Sequence, residues 1–163
     1  MVSDFKSDTN GDQLRSLLGR FPSGVAVVTV DTGGQRVGLT VATLVGLSLE
    51  PPLVGFSVAR QAALHELLRE EGRCAVSLLA AGQEALAEHF ARGVPPIGMW
   101  HGIATEPSTG PPRLSGALGW LECALRDELS VGTHTLFVCA VERVVHGADG
   151  SGLVRIRGRF AEA

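Results

Sequence analysis

Short apolar runs rich in valine recur along this chain, and most gaps between them are too narrow to hold a helix. They are GVAVVTV at 24–30, a second run from Val37, LVGFSV at 53–58 and RCAVSLL at 73–79. Three more follow from residue 117 onward: ALGWLECALRDEL, HTLFVCAVERVV and GLVRIRGRF. Parallel neighbours need a crossover of a dozen or more residues, usually a helix, and only two connections have that room. Six or seven strands on short links therefore predict a mainly β, antiparallel barrel with a few short flanking helices. Asp31-Thr32-Gly33-Gly34 is a turn signal that makes the first two runs a hairpin, and Glu50-Pro51-Pro52 marks the next boundary.

Three helices complete the pattern. Leu14, Leu17, Leu18 and Phe21 recur at helical spacing, with Asp12 placed to cap the start and Gly19 near the end. Residues 62–71 set Leu64, Leu67 and Leu68 on one face and stop at Gly72. Residues 81–93 form the third, again closed by glycine. Residues 1–11 read as a flexible tail, and 12–163 as a single domain. Residues 94–113 hold five of the eight prolines and read as a long irregular loop.

Composition narrows the class. With 163 residues, 45% of them apolar, the chain can bury a substantial core and is greasy enough that some apolar surface should meet a partner. A net charge of -3 leaves no basic footprint for nucleic acid. No uninterrupted apolar run approaches eighteen residues and the N-terminus is polar, so neither a membrane span nor a secretory signal is expected; the reading is cytoplasmic. Cys74, Cys123 and Cys139 are odd in number and widely spaced within apolar runs, which predicts buried free thiols and no metal site.

Familiar catalytic signatures are missing. There is no phosphate loop, no G-x-G-x-x-G, no H-E-x-x-H and no G-x-S-x-G. The acidic pairs Glu70-Glu71 and Asp127-Glu128 are sequence neighbours and point apart. The histidines at 65, 89, 101, 134 and 146 lack ligand spacing; all but His134 read as helix-surface or loop residues. Trp120 reads as core or dimer packing. Any activity should lean on a bound cofactor for its reactive atoms.

Four stretches in order resemble the flavin reductase family, whose fold is the FMN-binding split β-barrel. They are GRFPSGVAVVTV (19–30), VGLTVATLVGLSLEPPLV (37–54), GPPRLSGALGWLECAL (110–125) and GTHTLFVCAVERV (132–144) with GRF at 158–160. The resemblance is closest to the small reductase components of two-component flavin monooxygenases. It implies an NAD(P)H:flavin oxidoreductase that works as a homodimer, reduces FMN or FAD with NADH or NADPH, and hands reduced flavin to a separate monooxygenase. The alternatives are a non-catalytic flavin-binding or assembly protein of this fold, and an oxidase with tightly bound FMN.

The resemblance also implies a site. Thr40, Val41, Ala42 and Thr43 would lie along the flavin ring; taken alone, they read as an ordinary strand of small residues. Arg60, Gln61, Ala62 and Ala63 match the family's phosphate segment, where Gln61 and Ala63 replace serines. Trp100 would cover the pocket, in a loop where the family often carries a basic residue and Phe. His134 matches a histidine near flavin and nicotinamide and is the candidate catalytic residue. Ser23 is a further flavin-site candidate. Arg155, Arg157 and Arg159 alternate along one strand face; Arg159, within GRF, is taken into the site and the other two are left as surface.

Overall fold

The computed structural model describes residues 8–92 and 96–163. Residues 1–7 of the expected tail, residue 93 of the third expected helix, and residues 94 and 95 of the expected loop lie outside the described residues. In chain order the elements are α1 (Gly11–Leu18), β1 (Ser23–Gly24), β2 (Ala26–Asp31), β3 (Arg36–Val41), β4 (Val45–Leu49), β5 (Pro52–Ala59), α2 (Ala63–Glu71) and β6 (Arg73–Leu78). Then come α3 (Glu84–Ala91), α4 (Pro96–Met99), β7 (Thr105–Glu106), β8 (Arg113–Leu114), β9 (Gly119–Val131), β10 (His134–His146), β11 (Leu153–Ile156) and β12 (Arg159–Glu162).

Seven strands form one antiparallel sheet in the order β3-β2-β6-β9-β10-β5-β4. Its two edges, β3 and β4, are consecutive in sequence, and β3 also approaches β5, so the sheet curls without closing its ladder between β3 and β4. β1, β11 and β12 make a second sheet, and β7 and β8 a small hairpin. The mainly β, antiparallel expectation therefore holds.

The valine runs earn their place by burial. Ala26–Val30 of β2 are buried throughout, because neighbours cover both faces of the strand. Phe56 and Phe137 meet at 6.2 Å between ring centres, and Leu64 and Leu68 of α2 are buried in the same core. Each such side chain contributes about 1.5–3 kcal/mol of burial. α2 touches β2, β3, β6 and β5, so it spans strands from both ends of the curled sheet. The three thiols are free and buried as expected. Hydrogen bonding to Cys123 and Cys139, together with burial, pushes the Cys74 thiol well above its usual range, so it is no nucleophile.

Several local expectations need correction. The cap of α1 is Asn10, not Asp12: the Asn10 side chain accepts from the Gln13 amide at 2.9 Å, and the Gln13 side chain accepts from the Asn10 amide at 3.1 Å. The expected tail of residues 1–11 therefore gives up its last residue, because the helix starts at Gly11. The expected loop carries α4 and the β7–β8 hairpin. β4 is an additional strand, which a register shift between Gly46 and Ser48 hides from period-two reading. His65 is buried, not on the helix surface: its ring packs on Phe137 at 5.3 Å. Among the described residues no helix is long and apolar enough to cross a membrane.

Candidate active site

The site grows from the gap between the sheet edges. Residues 42–44 join β3 to β4 and belong to neither strand's ladder, so their backbone groups have no sheet partner among the described residues. The Thr43 hydroxyl accepts from the Ser57 amide at 3.0 Å and thereby fastens this bend to β5. Thr40 is turned elsewhere: its hydroxyl donates to the Ala87 carbonyl of α3 at 2.6 Å. Val41 is buried in the core. Of the four residues expected along a flavin ring, only Ala42 and Thr43 belong to the open bend.

β5 runs from this bend's partner Ser57 to Ala59, and Ala59 pairs with His134 at the start of β10. Immediately beyond, the Arg60 amide donates to the Thr133 carbonyl at 3.1 Å, and the Arg60 guanidinium donates to the Gly132 carbonyl. α2 then begins. Its cap, Ala62, has no side chain able to serve the first-turn amides, and no such bond is made. Free N–H groups, the positive end of the helix and Arg60 therefore lie beside the strand that carries His134. The segment Arg60–Ala63 thus presents a cation and uncapped amides, without hydroxyls.

His134 follows a two-residue turn, Gly132-Thr133, in which Gly132 takes a positive φ of 56°. Its ring is exposed, and Nδ1 lies 3.0 Å from the Thr133 hydroxyl. Next door, Thr135 bonds to Nε2 of His65 at 2.8 Å, while Nδ1 of His65 meets Glu66 at 3.0 Å. Arg69 and then His65 hold the Glu66 carboxyl below its usual range. This chain of contacts ties α2 to the first turn of β10.

A cleft of about 1100 Å³ opens here. Thr43 of the β3–β4 bend and His134 of β10 line it on one side, and Ser23 of β1, Arg155 of β11 and Arg157 of the β11–β12 turn line it from the small sheet. Arg155 reaches it because β11 pairs with β1, setting Arg155 opposite Ser23. The chain then reverses at Arg157-Gly158, where φ is 51° and 71°. Two positive values make a primed hairpin turn. The expected continuous strand is therefore two strands, and the alternation that grouped Arg155, Arg157 and Arg159 ends at this turn. Arg155 and Arg157, read as surface from the sequence, line the cleft; Arg159 does not, and lines an adjoining depression with Arg157 and Phe160.

Trp100 is also placed apart. Its Nε1 donates to the Arg36 carbonyl at 2.8 Å, its ring packs on Phe90 at 5.3 Å, and Arg36 lies over it. Those contacts hold it at the Arg36 end of β3, beside a second cleft of about 830 Å³, whereas Thr43 lies past the other end. Trp100 does not cover the His134 cleft of this chain.

Residues 18–163 match the flavin reductase like domain. The chain belongs to that family. It is 41% identical over 143 residues to the reductase component of 4-hydroxyphenylacetate 3-monooxygenase from Thermus thermophilus, covering 88% of this chain and 90% of that protein. It is 38% identical over 155 residues to an NADH-dependent FAD reductase from Streptomyces globisporus, covering 91% and 83%. The solved structure of the NADH:FAD oxidoreductase of Streptomyces globisporus superposes with a TM-score of 0.88 at 34% identity, over 98% of this chain and 96% of that one.

The residues present fit a flavin. A flat ring with a polar rim needs backbone donors and acceptors free of a ladder, and residues 42–44 supply them in the gap of the split barrel. A phosphate needs cation and amide, and Arg60 with the uncapped start of α2 supplies both. Sequence reasoning missed Arg155 and Arg157. The signal that would have found them is the Arg-Gly pair at 157–158, which punctuates the strand.

Proposed function

We propose that this chain is an NAD(P)H:flavin oxidoreductase that reduces FMN or FAD and releases the reduced flavin to a separate monooxygenase. The observation that carries this reading is the meeting of Ser23, Thr43 and His134 in one open cleft beside the hydroxyl-free anion cradle at Arg60–Ala63. A flavin held there would supply the redox chemistry, as the acceptor of hydride from the nicotinamide.

The chain's own residues bind and align. Backbone groups of 42–44 hold the rim of the ring, and Arg60 with the first amides of α2 holds the phosphate. Gln61, Ala62 and Ala63 contribute backbone only. His134 uses Nε2 to orient the nicotinamide over the ring; hydride transfer asks for no protein base. Alignment and exclusion of water then account for the rate. A phosphate held without serine hydroxyls suits a flavin that must leave, and the names of relatives as monooxygenase reductase components support delivery to a partner.

A second copy of the chain covers β4, an edge strand on which Val45, Leu47 and Leu49 are all exposed and Leu49 is 89% exposed. The working form is a homodimer in the cytoplasm, where three free cysteines stay reduced. Light scattering at the monomer mass of 17.0 kDa would remove the dimer. The activity is tested by absorbance at 340 nm with NADH or NADPH, alone and with FMN or FAD. Loss that saturates with added flavin supports a reductase. No loss with any pairing moves the chain to the binding-protein reading, and a yellow protein active without added flavin moves it to the oxidase.

A further inference from the structure

His65 is a buried titratable side chain to which the proposed reaction assigns no part. It stands in the first turn of α2, after Ala63 and Leu64, and its ring enters the core against Phe137. Both ring nitrogens are taken. Nδ1 lies 3.0 Å from Glu66 Oε1, and a carboxylate only accepts, so Nδ1 carries a hydrogen. Nε2 of the neutral ring then accepts from the Thr135 hydroxyl at 2.8 Å. Thr135 is 4% exposed, so this bond is shielded from water. An apolar side chain would fill the same space with no polar group to satisfy. What the imidazole adds is direction.

Direction matters here because of where Thr135 stands. Every residue from 132 to 135 is held by the segment 59–65. The Arg60 guanidinium donates to the Gly132 carbonyl, and the Arg60 amide donates to the Thr133 carbonyl at 3.1 Å. Ala59 pairs with His134, and His65 meets Thr135. His134 is thus bracketed by two ties from one short segment, Arg60 on its N-terminal side and His65 on its C-terminal side. The two ties differ in kind. Arg60 is exposed and is also the cation at the start of α2, so an anion there competes with Gly132 for the guanidinium. His65, at 5% exposure, is out of a ligand's reach. Leu64 and Leu68 also press α2 into the core, but apolar contact is non-directional and sets no register along β10.

We propose that His65 is a positioning residue: through Thr135 it keeps His134 in place when Arg60 leaves Gly132 for the flavin phosphate. The assignment rests on the flavin reductase reading. It makes the hold on His134 independent of the hold on phosphate, so His134 presents the same geometry with the anion site filled or empty. A displacement of about 1 Å in such a group costs on the order of 10²-fold in rate.

The test compares Thr135→Val, which keeps the shape and removes the hydroxyl, with Thr135→Ser, which keeps the hydroxyl. His65→Met removes the same bond from the other side. The first readout is amide hydrogen exchange of the flavin-free protein, with and without saturating inorganic phosphate. Phosphate should speed exchange at residues 132–134 more than about tenfold in Thr135→Val and His65→Met, and less than about twofold in the wild type and Thr135→Ser. Exchange at Val27 and Val28, fully buried in β2, should respond to phosphate alike in every protein, which separates local release from general loosening. The second readout is turnover. With FMN, Thr135→Val should lose about tenfold in kcat; with riboflavin, which leaves Arg60 on Gly132, the loss should stay below about threefold. Equal losses with the two flavins would overturn the assignment, and so would exchange at 132–134 that phosphate does not change in either bond-deleting variant. His65 would then serve the fold alone. Phosphate that moves no amide signal of Ala63 or Leu64 in the wild type would remove the anion site and this assignment with it. Failure of the oxidoreductase reading has a separate sign: no NADH oxidation by the wild type with any flavin.

Discussion

Arg60→Ala separates phosphate recognition from ring recognition. Arg60 sits between Ala59, the partner of His134, and the uncapped start of α2, with its guanidinium exposed and donating to the Gly132 carbonyl. A charge-assisted bond to phosphate is worth about 1.5–3 kcal/mol. Solvent screening pulls an exposed pair toward roughly 1 kcal/mol, and binding a phosphate also asks Arg60 to share or release Gly132. The net loss should be about 1 kcal/mol, or roughly fivefold in the Kd for FMN. Riboflavin has no phosphate, so its Kd should move by less than about twofold. Flavin fluorescence quenching measures both ligands on one sample, and the FMN effect should shrink as salt is raised. Equal losses for FMN and riboflavin would refute the reasoning. Arg60 would then act by holding the Gly132-Thr133 turn, and through it His134, without meeting phosphate.

The same cradle can be improved: Ala63→Ser restores a hydroxyl at the first residue of α2 and should tighten FMN by about 0.5–1.5 kcal/mol, read by the same titration, with riboflavin unchanged. His134→Ala should slow hydride transfer in single-turnover stopped flow more than it weakens flavin binding; an unchanged rate would remove His134 from the site. Gly38→Ala would put a Cβ 2.7 Å from two ring atoms of Phe90, which is buried against Trp100, so thermal unfolding should show a loss of about 2 kcal/mol and roughly 4–8 °C. Glu66 is held below its usual range by Arg69 and His65, so its stabilising effect is present above pH 4.5 and fades as pH falls through the lowered value. Glu66→Gln should melt earlier than the wild type at pH 6, and the gap should close in acid.

What was legible in the sequence depended on how local its cause was. β2, β6 and β10 announce themselves because burial on a strand selects valine, cysteine and phenylalanine within a few residues. β4 does not: an exposed edge strand with a bulge between Gly46 and Ser48 has no buried face to impose a pattern. His65 shows the opposite difficulty. It stands beside Leu64 on α2, and only the fold reveals that Thr135 and Glu66 satisfy both ring nitrogens and let the ring stay inside.

The site was half legible for a related reason. Thr43, Arg60 and His134 could be named from the resemblance, and the fold explains why they meet. Residues 42–44 cross the open gap, β5 delivers the chain to Arg60, and β10 begins opposite Ala59. Trp100 was misplaced because a tryptophan in a proline-rich loop offers no clue to which end of β3 it will pack on, and Phe90 and Arg36 decided that. The arginines were misread because alternation was carried through residues 157 and 158, where two positive φ values end one strand and start the next. The reversal makes the second half of the cleft: it takes Arg159 away from His134 and turns Arg155 and Arg157 toward it. A turn of two residues thus decides which cations stand beside His134: Arg155 and Arg157 share its cleft, and Arg159 does not.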